Sequence, residues 1–458
     1  MTSTGGGAVQ AAPVPAPAAV APPVPAPGTA PAPAGAAGLA AGPAGPTGSV
    51  VPSTGATKIP MLGAEDVPAA LTRWQAALTV AVVVWALLTA ALLANSVQNN
   101  RAGAANTAQL TRVHAIESSL FRADAIATNA FLVGGLEPAE QRAAYDDALE
   151  EVSRLVTQAA DAQPADREAL TVLNTQVLRY AEQMQQARAN NRQGLPVGAQ
   201  YLREASAELR SETLPVLDAL VAANEERATD AFGGHNAVLV ALPGLVLLLL
   251  LGWFNQQLAA TFHRRFNVGL VAAAAIVLAL TVAAAAATWS LASDTARLQA
   301  GDFATAVDTA TARTAANDAK SNESLRLIAR GSGAAFEEAW VAADARVAEL
   351  VADDAELTRL WEAYRGGHAA IVAADDGGDW EGAVAQAVST AEGSASSVFG
   401  AFDERAATVV EEASATVTGS LSGGGWRAVA AAVLTLLAAV AAVAAVSWGL
   451  TARRKEFA

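Results

Sequence analysis

Two uncharged apolar runs stand at the middle of the chain, residues 237–254 and 268–290, separated by a short polar turn that carries His263, Arg264 and Arg265. An apolar run of roughly 18 residues or more reads as a membrane-crossing helix, because about 20 residues at ~1.5 Å rise match a hydrocarbon core ~30 Å thick. Two further runs, residues 73–95 and 428–450, have the same character. Four crossings put the two long polar stretches, 96–236 and 291–427, on one side of the bilayer. The expected fold class is therefore an all-α membrane protein with four transmembrane helices and two extracytoplasmic four-helix-bundle domains.

Charge sets the orientation. Arg73 precedes the first run, Arg264 and Arg265 occupy the turn at 255–267, and Arg453, Arg454 and Lys455 follow the last run in the tail 451–458. The positive-inside rule places these groups, and with them both termini, in the cytoplasm of a multi-pass plasma-membrane protein. The polar stretches carry net charges of −7 and −12, against +4 for the remainder and −15 for the whole chain. Acidic external domains of this kind stay soluble and offer no basic face to nucleic acid. The absence of cysteine excludes disulfides and thiolate metal sites.

Inside the polar stretches the apolar residues step by three and four, the period that keeps one stripe of a bundled helix inward. Val113, Ile116, Leu120, Ala123, Ala127 and Ala130 form one stripe. Tyr145, Leu149, Val152, Val156 and Ala159 form a second, and Leu170, Leu173, Val177, Tyr180, Met184 and Ala187 a third. Leu202, Ala205, Leu209, Thr213, Val216 and Leu220 give a fourth, with one polar slip. Breaks at 134–138, near Pro164 and at 194–196 make the outer helices long and the inner ones short. The turns at Gly134 and Gly194 then share the membrane-distal tip.

The second stretch repeats the plan. Its stripes run from Phe336 to Leu350, from Leu357 to Ile371 and from Val384 to Phe402, the last read as one helix. The opening helix, 292–330, is rich in Ala and Thr and has a poor stripe. Gly423, Gly424 and Gly425 loosen the approach to the last run. Gly194-Leu195-Pro196-Val197-Gly198-Ala199 aligns with Gly378-Asp379-Trp380-Glu381-Gly382-Ala383, which suggests an internal duplication. Residues 1–72 form a Pro- and Ala-rich arm, expected to be disordered with polyproline II character and to lie in the cytoplasm.

No enzymatic site announces itself. His114, His235, His263 and His368 stand apart, without metal-ligand spacing, and are expected at surfaces or interfaces. No phosphate loop or nucleophile motif occurs, and acid pairs such as Asp146-Asp147 fall on solvated faces. The membrane runs hold no ionisable residue between their basic flanks, which argues against transport. Neither a cofactor nor a catalytic residue is expected, and what remains is a device facing two solvents.

The span–bundle–span layout resembles the sensor modules of bacterial chemoreceptors and sensor kinases. The arm, the four spans, the paired bundles and the segment Asn190-Asn191-Arg192-Gln193-Gly194-Leu195-Pro196 resemble the actinobacterial GlnX-type membrane proteins. That resemblance implies a relay in extracytoplasmic glutamate and aspartate sensing, coupling an external solute-binding lipoprotein to a cytoplasmic Ser/Thr kinase, with a homodimer allowed. It makes the distal tips candidate docking surfaces: Gly134, Gly135, Leu136 and Glu137, then Asn190, Asn191, Arg192, Gly194, Leu195 and Pro196, then Gly331, Gly378, Asp379 and Trp380. His263, Arg264, Arg265, Arg453, Arg454 and Lys455 become candidate cytoplasmic contacts. Two other readings stay open: direct binding of a small molecule within a bundle, and a structural scaffold in the envelope.

Overall fold

A computed structural model describes residues 67–133, 137–262 and 267–454; the arm to residue 66, Gly134–Leu136, His263–Phe266 and the last four residues lie outside these. Among the described residues the chain is helical throughout, with no strand. Helix α1 runs unbroken from Val67 to Val133, so the first span and the first bundle helix are one rod of 67 residues. Pro138 precedes α2 (Ala139–Ala162), and a single tight turn at Pro164–Asp166 leads into α3 (Arg167–Arg192). The last helix of the bundle comes in two parts, α4 (Val197–Glu208) and α5 (Leu214–Gly233), joined by a π-turn at Leu209–Thr213.

The third stripe is buried as the periodicity requires, at Leu170, Leu173, Val177, Tyr180, Met184 and Ala187. The fourth shifts. The wider π-turn inserts part of a residue into the helical phase, so the stripe resumes at Leu217 and Leu220 rather than at Val216. The polar slip at Thr213 in the sequence marks that insertion.

Gly234, His235 and Asn236 separate α5 from α6 (Ala237–Phe262). The Asn236 side chain caps the new helix, accepting from the amides of Val238 and Leu239. Helix α6 passes through Pro243 and continues two turns beyond residue 254, which shortens the expected turn at 255–267. Helix α7 (Val268–Leu298) meets a second π-turn at Gln299–Phe303, where Gly301 leaves helical geometry, and then α8 (Ala304–Ile328).

Helices α9 (Ala334–Leu350) and α10 (Ala355–Asp376) follow, and then α11 (Trp380–Val388) and α12 (Ala395–Gly424). The stripe expected to run from Val384 to Phe402 as one helix is thus cut at residues 389–394. Gly393 takes φ +79° there, and Ser394 caps α12 through the amide of Ser397. The three glycines before the last span do the opposite of loosening it. Helix α13 (Trp426–Arg454) begins one residue after α12 ends, and Gly425 lets the chain approach Val97 of α1 closely.

Four helices are long and apolar enough to cross a membrane. Around their shared core, which holds Val82, Trp85, Leu251, Val277, Ala442 and Val446, α1 neighbours α6 and α13, and α7 neighbours the same two. Exposed Trp289 and Trp426 mark one end of this group, and Trp448, with the Trp74–Trp253–Phe254 ring cluster, marks the other. Trp426 and Trp448 are 22 residues apart, about 33 Å of helix, which spaces two interfacial belts across one hydrocarbon core.

The ends near Trp448 are tied by one residue. Asn267 caps α7 by accepting from the amides of Gly269 and Leu270, donates from its side chain to the Gly449 carbonyl of α13 at 2.9 Å, and donates from its backbone N–H to Asn255 Oδ1 of α6 at 3.1 Å. A side chain at Gly269 would collide with the α13 backbone, so glycine is required there for the crossing.

The polar ends of the rods build two cores. One gathers Ile116, Leu120, Tyr145, Leu173, Met184, Leu202 and Leu217; the other gathers Trp340, Val347, Leu357, Trp361, Tyr364, Ile371 and Phe402. The opening helices α1 and α8 lie side by side between them. That explains the poor stripe of α8: nearly every residue from Ala316 to Leu327 is buried, polar ones included, because neighbours cover all its faces.

Candidate functional site

The seam between α1 and α8 is built of small and polar side chains, which let the two helices come close and leave charge to be neutralised in place. Asp124 of α1 is fully buried. Its carboxylate accepts from Ser206 Oγ of α4 at 2.6 Å, Tyr180 Oη of α3 at 3.2 Å, Arg210 at 3.2 Å and Ser321 Oγ of α8 at 2.6 Å. Three of these donors belong to the first bundle and one to the second. Arg210 sits inside the π-turn, and its Nε also reaches Asp318 of α8 at 2.8 Å. The π-turn re-aims that side chain out of its own bundle and into the seam.

Burial and the Asp124 charge together push the Tyr180 hydroxyl well above its usual range, so it serves as a fixed donor. Burial would lower the Arg210 guanidinium, but Asp124 and Asp318 outweigh it and raise it. Other bonds cross the seam: Asn129 Nδ2 to the Ala387 carbonyl at 3.1 Å, Arg313 to Ser118 Oγ at 3.4 Å, and Thr111 with Ser414 at 2.5 Å. The ion pairs across it are reciprocal with charges exchanged. Arg210 of the first bundle's closing helix meets Asp318 of the second's opening helix, and Arg122 of the first's opening helix faces Asp403 of the second's closing helix at 3.9 Å.

Behind the seam, Glu323 is fully buried in the second bundle. Lys320 donates to it at 2.6 Å, the His368 ring lies at 2.9 Å and Tyr364 donates at 3.2 Å. Burial alone would raise the Glu323 carboxyl, but the Lys320 charge and the His368 contact hold it down at about 2. His368, expected at a surface or an interface, is instead buried within the second bundle, stacked on Trp340 at 3.7 Å and in reach of Glu337 at 3.4 Å. His114 is likewise buried, 3.5 Å from Glu117. Among the described residues no cluster of three or more His, Cys, Asp or Glu is placed to hold a metal ion.

The expected tip residues fall into two groups, one per bundle. In the first, Glu137 pairs with Arg188 at 3.1 Å and, with Asn191 and Arg192, lines a small cleft of about 240 Å³. Asn190 and Asn191 supply the carbonyls that close the turn at Gly194 (φ +69°), after which Leu195 is exposed and Pro196 precedes α4. In the second group, Gly331 and Trp380 line one cleft of about 520 Å³, Gly378 turns the chain between α10 and α11 at φ +84°, and Asp379 caps α11. Arg330 stacks on Trp380 at 3.9 Å, and the Trp380 indole donates to the Leu327 carbonyl. Gly134, Gly135 and Leu136 lie outside the described residues, as do His263, Arg264, Arg265 and Lys455; Arg453 and Arg454 close α13.

Sequence reading missed the seam. Asp124, Arg210, Lys320, Glu323 and Asp403 look like members of solvated faces when only charge spacing is read. The signal that marks α8 is the polar run Asn317-Asp318-Ala319-Lys320-Ser321-Asn322-Glu323-Ser324, which leaves no helical face apolar. Residues 98–233 match the family model described as an actinobacterial sensor domain. The match spans the polar part of α1 through the end of α5, which is the first bundle, and supports an actinobacterial sensor protein with a sensing or signalling role. Comparison with curated proteins gave no match, and comparison with solved structures gave none.

Proposed function

We propose that the chain relays an external signal across a membrane, with the polar seam as its moving joint. The observation that carries this reading is the wiring of the seam to the spans. Helices α1 and α8 form the seam, α1 is itself a span, and α8 joins the span α7 through one π-turn. A change in how the bundles pack against one another therefore displaces two membrane helices directly. A seam of ion pairs and hydroxyls suits this role, since polar contacts of fixed geometry have discrete alternatives where an oily interface slides.

In this reading the bundles are extracytoplasmic, the basic ends cytoplasmic, and the two bundles descend from one duplicated module. The likeness to GlnX-type proteins supplies the partners: an external solute-binding lipoprotein for glutamate and aspartate at the distal tips, and a cytoplasmic Ser/Thr kinase at the basic ends. Crosslinking in native membranes tests it, with recovery of both partners expected and recovery of neither counting against it. The chain has no cysteine, so a Thr111→Cys, Ser414→Cys pair gives a clean lock across the seam. Oxidation of that pair is expected to freeze the downstream response and reduction to restore it; an unaltered response in the locked protein sinks the relay.

A further inference from the structure

We propose that a groove along the seam binds a small amphipathic zwitterion, an ammonium and a carboxylate on one apolar body. This rests on the reading of the seam as the moving joint and gives that joint an effector of its own. The groove, about 670 Å³, opens between α1 and α2 of the first bundle and α8 and α12 of the second, so an occupant touches both halves at once. That is the size of an ordinary ligand pocket.

Its chemistry selects the occupant. Arg122 is half exposed and comes no nearer than 3.9 Å to Asp403, whose oxygens are already engaged by Arg313 at 2.7 and 3.0 Å and by Asn317 at 2.9 Å. The Arg122 guanidinium keeps only this long contact and has donors left for a ligand carboxylate. Two groove residues, Asn317 and Gln141, each carry a buried amide oxygen that receives no donor from the protein. Neither amide can simply turn over. Asn317 Nδ2 donates to the Arg313 carbonyl and to Asp403, and Gln141 Nε2 donates to Asn129, whose own nitrogen is committed to the Ala387 carbonyl. An ammonium on a ligand supplies the donor that these two oxygens accept.

A bare anion would satisfy Arg122, leave both oxygens unmet and confront Glu140 and Glu404 in the lining. A bare cation would meet the oxygens and confront Arg122, Arg313 and Lys320. Glu323 neutralises Lys320 and Asp403 neutralises Arg313, which leaves Arg122 to face a carboxylate and Glu140 and Glu404 to face an ammonium. Ile126 and Phe399 offer the apolar wall for its body.

Calorimetry on the full chain in lipid nanodiscs tests this with phenylalanine as probe, and with phenylalaninamide and N-acetylphenylalanine each lacking one charge. Phenylalanine is expected to bind saturably and the two derivatives at least tenfold more weakly. Arg122→Ala is expected to weaken phenylalanine at least tenfold. Gly400→Phe is expected to abolish binding without disturbing the fold, because a Cβ there meets no atom within 4 Å and the ring can occupy the groove. No saturable heat with phenylalanine, glutamate binding in its place, or binding unchanged in both variants overturns the proposal. Partner crosslinks retained without phenylalanine binding overturn the groove and leave the relay standing. Phenylalanine binding with no change in spin-label distance across the seam leaves the groove standing and sinks the relay.

Discussion

Each bundle sinks a carboxylate beneath a tyrosine, Asp124 beneath Tyr180 and Glu323 beneath Tyr364, yet the two are wired to different ends. The donors to Asp124 come from α3, α4, the π-turn and, across the seam, α8. Those to Glu323 all come from its own bundle, from α8 and α10. Both groups are fully buried, so both must be compensated locally. One of them ties the two bundles together and the other stiffens only one. The comparison teaches that the same local device, a buried acid under a tyrosine, is a joint or a brace according to where its remaining partners sit.

Four substitutions bear on that contrast. Asp124→Ala is expected to cost the most, about 3–5 kcal/mol, since it strips four donors of their acceptor. Hydrogen exchange should show the loss as faster exchange along residues 309–324 of α8, with α9 and α10 little changed. Equal exchange in both bundles would erase the distinction between joint and brace.

Glu323→Gln is expected to cost about 3 kcal/mol at neutral pH while leaving the seam protected. The same group sets an acid limit. Its folded carboxyl lies at about 2 against an ordinary 4.5, so its stabilisation is full above pH ~4.5 and is lost as pH falls from there toward 2. Asp403 is also held low, burial being outweighed by Arg313, and fades in the same direction. Denaturant unfolding against pH should show this acid limb in the native chain and a flatter one in Glu323→Gln.

Arg210→Met keeps most of the side-chain volume but withdraws the pairs with Asp124 and Asp318, for an expected cost of about 2 kcal/mol. A double-mutant cycle with Asp318→Asn should return a coupling near 1 kcal/mol, small because Asp318 is partly exposed. At the far end of the scale, Arg142→Ala removes an exposed pair with Asp146 and should change unfolding by no more than about 0.5 kcal/mol.

The spans and most of the bundle stripes were legible because each shows a single contrast, apolar against polar, with a simple period. The stripe of α3 came through residue for residue. The failures share a cause. Helix α8 has no stripe because it has no outside face, and a polar residue buried against another bundle is indistinguishable in sequence from one facing water. The π-turns escaped as well, since a change of one-residue phase shows only as a single slip, at Thr213. The cut at 389–394 was masked by alanines that continued the spacing through it. The tip turns were legible through their glycines, since Gly194 and Gly378 both take positive φ. The seam was not found, because its residues are defined by partners distant in the chain.

The two rods that meet at the seam differ in one respect with a mechanical consequence. Helix α1 spans about 100 Å without a defect, so a push, a pull or a twist at its bundle end arrives at its other end unaltered. The companion rod has its hydrogen-bond ladder interrupted at Gly301, between the apolar run of α7 and the second bundle. There it can bend or rotate by degrees while the bundle above keeps its packing. One strut is a drive shaft and the other carries a universal joint. In the relay proposed above, a motion that enters both together becomes a relative displacement between two spans, an output that does not depend on how the whole molecule is tilted.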